Sequence, residues 1–314
     1  MSRRSSRSAI SSLLLLGALP VFLVACRSVP PELARKPEPL EYVGEWGTRG
    51  KAPGKLSLPL SFATDTSGFV YIADAATGYV HKFDGQGKFL HAFTDAKLQR
   101  PTGIAIDRDG RIYVAAYASD SVVIFDLQGK RLREVHGGPG LSFRGPEGVA
   151  VDSEGNLYVL EFDGHRAQKF DAQGRFLKSW GRDGSGPGEF HYPVDACMGA
   201  DGHLYVADTH NRRVEKFTRE GQFVLAWGKP GTAPDMMDDI FGIAVSEKYV
   251  FLADGGNRRV QVWTLDGRHV LTQALSGRLL GDVETPTDVA FGKPGELLVL
   301  DSAGARVLRF RMNF

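Results

Sequence analysis

Cysteine is nearly absent from this chain, with two in 314 residues at positions 26 and 197. That excludes a disulfide framework and zinc-knuckle spacing, both of which need several thiols. A dominant charge is missing as well. Lys and Arg number 38 against 37 Asp and Glu, a net +1, so no global basic field exists to attract nucleic acid. No nucleophile elbow, His-Glu-x-x-His motif or phosphate loop occurs. Between its turns the mature chain carries no helix signal.

What is present repeats. Each copy reads Pro-x-(Gly/Asp)-(Ile/Val)-Ala, a Gly turn, (Leu/Ile)-Tyr-Val-Ala-Asp, a short polar loop, and an Arg-Val-x-x-Phe run. The copies register on Asp74, Ala116, Glu161, Asp208, Asp254 and Asp301, about 40–50 residues apart, the length of a four-stranded propeller blade. Turn tetrads such as Asp65-Thr66-Ser67-Gly68 and Asp84-Gly85-Gln86-Gly87 separate the strands, because Asp bonds the backbone two residues on and Gly accepts positive φ. Val214 and Phe217, three apart, point to opposite faces of one strand. Both faces are apolar, as in a sheet packed between two neighbours. The expected fold is an all-β, six-bladed β-propeller.

The termini predict how the ring closes. Trp180-Gly181 and Trp227-Gly228 end fourth strands, and Tyr42-Val43-Gly44-Glu45-Trp46-Gly47 reads like one although it precedes the first repeat. The last repeat stops at its third strand, so residues 40–47 are expected to complete blade six and leave no open sheet edge.

Residues 1–25 read as an export signal: Arg3, Arg4 and Arg7, then an apolar run, then Leu23-Val24-Ala25-Cys26. The segment resembles a bacterial lipoprotein signal. The resemblance implies that Cys26 is acylated, that residues 26–39 form a Pro-rich tether, and that residues 40–314 hang from the membrane in the cell envelope. Arg27 after the Cys favours the outer membrane, facing the periplasm, in a Gram-negative cell. Cys197 stands where other copies have Ala105, Ala150 and Ala244, so it reads as a small packed residue.

The repeats resemble NHL repeats, best in Tyr205-Val206-Ala207-Asp208-Thr209-His210-Asn211-Arg212-Arg213-Val214 and Leu252-Ala253-Asp254-Gly255-Gly256-Asn257-Arg258-Arg259-Val260. The resemblance implies an NHL-type propeller, a fold that serves lyases, lactonases, RNA-binding domains and binding scaffolds, so the site must decide. Histidines at the centre hold zinc in the lyase relatives, but the eight histidines here share no repeat column. Lactonase relatives begin a first strand with Glu for calcium, and only Glu147 stands in that neighbourhood. Zinc and calcium are therefore unsupported, and no cofactor or metal site is expected. Asp208, Asp254 and Asp301 each precede an Arg by five residues and read as loop-ordering pairs.

The third residues of the first strands, Ser61, Gly103, Gly148, Asp195, Gly242 and Asp288, should ring the central channel. With Glu147, Thr102, Thr287 and Phe241 beside them, Ser61, Asp195 and Asp288 are the expected ligand-binding residues. With no catalytic residue in view, the reading leans against an enzyme. It expects a monomeric scaffold that binds a protein, peptide or glycan and no nucleic acid. The alternative is a metal-dependent lyase, of the peptidyl-hydroxyglycine lyase kind, or a lactonase, using the central channel.

Overall fold

A computed structural model describes residues 38–277 and 281–314. The expected signal segment, Cys26 and the expected tether up to residue 37 lie outside them. Six four-stranded antiparallel sheets form blades at 59–93, 101–135, 146–180, 195–227, 240–274 and 286–312, the last completed by Leu40–Trp46. Each first strand contacts the next around the ring, and the sixth contacts the first.

Closure follows the displaced strand. Leu40–Trp46 pairs antiparallel with Arg306–Met312, setting Leu40 opposite Met312 and Trp46 opposite Val307. The register slips between Tyr42 and Gly44, where Gly44 has φ +141, a bulge that an L side chain would strain. The six sheets leave apolar layers between blades. Leu40, Phe251, Val262, Val299 and Phe310 share one of them.

The hairpin turns explain why the repeat keeps Tyr in its second strand. Tyr71, Tyr113, Tyr158 and Tyr205 are fully buried, and each hydroxyl donates to the Asp of its own blade's first turn: Asp65, Asp107, Asp152 and Asp201. A buried phenol thus keeps its hydrogen bond.

Candidate functional site

Strand alternation decides which loops meet. The chain reverses at every strand, so second-to-third-strand loops and blade connections emerge at one end of the ring, and the other hairpin turns at the opposite end. At the first of these ends a cavity of about 390 Å³ opens over the first strands. Its walls include Ser61, Thr102, Glu147, Asp195, Phe241, Thr287 and Asp288, together with Leu58, Leu60, Phe162 and Val194.

The first-strand column has a packing cause. A Cβ on Gly103 would stand 2.2 Å from the Glu147 carbonyl, one on Gly148 2.6 Å from that of Val194, and one on Gly242 2.5 Å from the Asp288 Cα. Neighbouring first strands approach too closely for a side chain there. Where the column carries Asp, the carboxylate reaches across to the next blade. Asp195 accepts from the N–H of Ala196 and, at 2.9 Å, of Ile243. Asp288 accepts from Val289 N–H, Phe62 N–H and Ser61 Oγ. Burial pushes both carboxyls up, and the charge of Asp288 adds to this at Asp195. They line the cavity, but their oxygens already bind blade to blade. Thr102 Oγ1 is similarly engaged with the carbonyls of Pro146 and Glu147, whereas Thr287 Oγ1 is buried without a partner among the described residues.

Glu147 is different. Its carboxyl faces the cavity and makes no hydrogen bond or ion pair among the described residues. Burial pushes it up to about 8, Arg100 opposes the rise, and Asp163 adds to it. Arg100, in the connection between blades one and two, lies with its guanidinium carbon 4.2 Å from the Tyr117 ring centroid. That guanidinium also has no carboxylate partner among the described residues. The Tyr117 hydroxyl donates to Asp163 at 2.7 Å, a bond that, with burial, pushes the phenol up to about 12. A protonatable carboxyl, a stacked cation and an oriented phenol therefore border one largely apolar hollow.

Phe162, another wall residue, joins this hollow to a cluster at the rim. Its ring centroid lies 4.6 Å from that of Tyr192, which lies 4.5 Å from His165, 4.8 Å from His191 and 4.8 Å from His210. His165, Asp183 and His191 present ligand atoms within 4.8 Å of one another. Where no metal site was expected, the fold thus brings together a candidate ligand group. The column test compared equivalent positions, while this group crosses columns: His165 ends a loop of blade three, and Asp183 and His191 belong to the connection that follows. The signal available in the sequence was the pairing of a loop histidine with two ligands flanking the next Gly-rich connection.

The model of the NHL repeat matches residues 143–170 and 190–217. No curated protein matches the chain. Among solved structures, a streptogramin B lyase is 15% identical with TM-score 0.63, covering 87% of this chain and 98% of that one. A catalytically inactive virginiamycin B lyase from Staphylococcus aureus, with quinupristin, is 15% identical with TM-score 0.61, covering 85% of this chain and 84% of that one. Hydrazine synthase from Kuenenia stuttgartiensis is 13% identical with TM-score 0.59, covering 85% and 99%. The protein is a six-bladed propeller with NHL-repeat-like topology. The leaning against an enzyme is overturned by the His165, Asp183 and His191 group and by a fold that catalytic lyases share.

Proposed function

We propose that this propeller is a lyase-type enzyme that cleaves its substrate by proton transfer in the cavity over the first strands. The observation that carries the reading is Glu147, a carboxyl with no partner beside an equally unpaired Arg100. Glu147 is half-buried and lines the cavity while Arg100 is exposed, so both remain free to meet a ligand, and a carboxyl tuned to about 8 suits proton exchange near neutral pH. In an elimination, ionised Glu147 would take a proton from the carbon beside a carbonyl, and the electrons of that C–H bond form a double bond to the next carbon, which carries the leaving group. The bond to the leaving group breaks and the electron pair departs with it. Arg100 would stabilise charge developing on the carbonyl oxygen. The apolar walls favour this over hydrolysis by limiting water. His165, Asp183 and His191, which do not line this cavity, would be the place for a metal ion.

The test is incubation of the purified protein with a panel of cyclic and linear esters, including virginiamycin B and quinupristin, read by mass spectrometry. Elimination opens a ring without changing its mass, whereas hydrolysis adds one water. Activity should rise with pH through about 8 as the base ionises, and Glu147→Gln should lower it by about 100-fold or more. No turnover anywhere in the panel, or full turnover in Glu147→Gln, defeats the reading.

A further inference from the structure

The rim cluster carries an inference independent of the chemistry in the cavity. Two imidazoles converge on one carboxylate oxygen: His191 Nδ1 lies 2.9 Å and His165 Nδ1 3.8 Å from Asp183 Oδ1. We propose that His165 Nδ1, His191 Nδ1 and Asp183 Oδ1 form a facial three-ligand site for a divalent transition metal of the zinc or cobalt type.

Donor chemistry sets the class of ion. Two nitrogens and one carboxylate oxygen suit zinc and its neighbours, while calcium and magnesium require mainly oxygen. The hydrogen bonds within the cluster show what the ion would replace. His191 Nδ1–H can donate to Asp183 Oδ1, while His165 Nδ1 accepts from the Tyr192 N–H at 3.2 Å. On binding, the ion takes the place of the proton between His191 and Asp183 and displaces the Tyr192 contact. His191 then carries its proton on Nε2, so the imidazole remains neutral.

The backbone holds the ligands near that arrangement before any ion arrives. His191 N–H donates to Asp208 Oδ1 at 2.7 Å, and the His191 carbonyl accepts from His210 N–H. Asp183 is followed by Gly184, whose N–H reaches the Phe190 carbonyl and whose carbonyl accepts from Asn211 Nδ2. His165 occupies a left-handed turn position, φ +51, and its ring lies parallel to that of His191, 11° between planes. Only short side-chain movements are needed to bring the three donors to about 2.0–2.2 Å from an ion.

The site sits behind the Phe162–Tyr192 pair and not in the cavity itself. The ion is therefore a clamp between blade three's loop and the connection to blade four, and it fixes the Phe162 wall through Tyr192. The remaining coordination positions face solvent, since Asp183 is 64% exposed.

Titration of the full chain with Zn²⁺ by calorimetry, and with Co²⁺ by visible absorption, tests the proposal. One ion per chain should bind, with a Co²⁺ spectrum typical of nitrogen and oxygen ligands. Binding should weaken at least about tenfold in His165→Ala, His191→Ala and Asp183→Asn, and remain unchanged in His210→Ala. Asp183→Asn keeps the test decisive if a histidine variant fails to fold. Absence of binding at millimolar metal, or undiminished binding in Asp183→Asn and His191→Ala, overturns the site. Neither result bears on turnover at Glu147, so the two proposals fail separately.

Discussion

Two blade connections of this propeller share a backbone and differ in what they can do. Between blades three and four, Asp183 bridges Phe190. Between blades four and five, Pro230 bridges Met237, with the same pair of backbone hydrogen bonds on either side. The residue after each bridge, His191 or Asp238, gives its N–H to the carboxylate that ends the following blade's second strand, Asp208 or Asp254. The left-handed loop position facing it is His165 in one case and Arg212 in the other. In the second connection Arg212 and Asp238 form an ion pair at 2.8 Å, and the metal-ligand set is absent. The repeat dictates the frame, and three side chains decide the chemistry.

If that division is correct, breaking the shared frame should have the largest effect. Asp208 is fully buried. It holds the His191 N–H with one oxygen and Asn211 and Arg213 with the other, while Arg213 binds three carbonyls of the same connection. Asp208→Ala removes the nearer counter-charge of that guanidinium and leaves it only Glu215, 3.2 Å away, and should cost about 3–5 kcal/mol in denaturant unfolding. Asp74 takes the equivalent N–H groups of Ser57 and Leu58 but faces Tyr79 and no Arg. Asp74→Ala should cost less, about 1–3 kcal/mol. Equal losses would show that the arginine is not what makes the junction rigid.

The frame was legible in the sequence for the same reason that it is repeated. Asp-Gly turns, the buried Tyr and the Asp–Arg pairs recur at fixed offsets because every blade solves one packing problem. The displaced strand at Tyr42 was legible because it breaks that period. The cavity-lining column could be placed, but not its roles: a count of columns cannot tell that Asp195 and Asp288 bond the adjacent blades or that the Glu147 carboxyl bonds nothing among the described residues. Arg100, Tyr117 and Asp163 were missed because they sit in loops, where the repeat constrains the backbone more than the side chain. The metal ligands were missed because they join two blades.

A smaller effect concerns the residue beneath each connection. Gln168 and Gln261 donate through Nε2 to the carboxylates of Glu161 and Asp254. Blade four has Glu215 there, fully buried, with Oε1 accepting from Gly188 N–H and lying 3.2 Å from the Arg213 guanidinium, and Oε2 without a partner among the described residues. Burial pushes this carboxyl up to about 7, against the pull of Arg213. The folded state then holds a proton that the unfolded chain releases near its ordinary value of 4.5. Stability from this group is full below 4.5 and is lost as pH rises through about 7. Glu215→Gln should raise stability at pH 8 by about 1–3 kcal/mol and change it little at pH 4, measured by urea unfolding at both values. A gain of equal size at both would mean that titration is not its cause.

The least perturbing change tests the comparison most directly, by moving the chemistry while leaving the frame. Arg212→His, Pro230→Asp and Asp238→His together place the ligand types of 165, 183 and 191 on the connection between blades four and five. The ion pair they remove is roughly one-third exposed on each side, so its loss should cost less than about 1 kcal/mol. Pro230 donates no backbone hydrogen bond, and Asp already occupies the matching position at 183, so the backbone should accept the exchange. The triple variant should bind two Zn²⁺ per chain where the parent binds one, and adding Asp183→Asn should return it to one. A variant that folds like the parent yet still binds a single ion would mean that the equivalence of the two connections stops at the backbone, and that Tyr192 and its ring contacts are part of what makes the first connection a site.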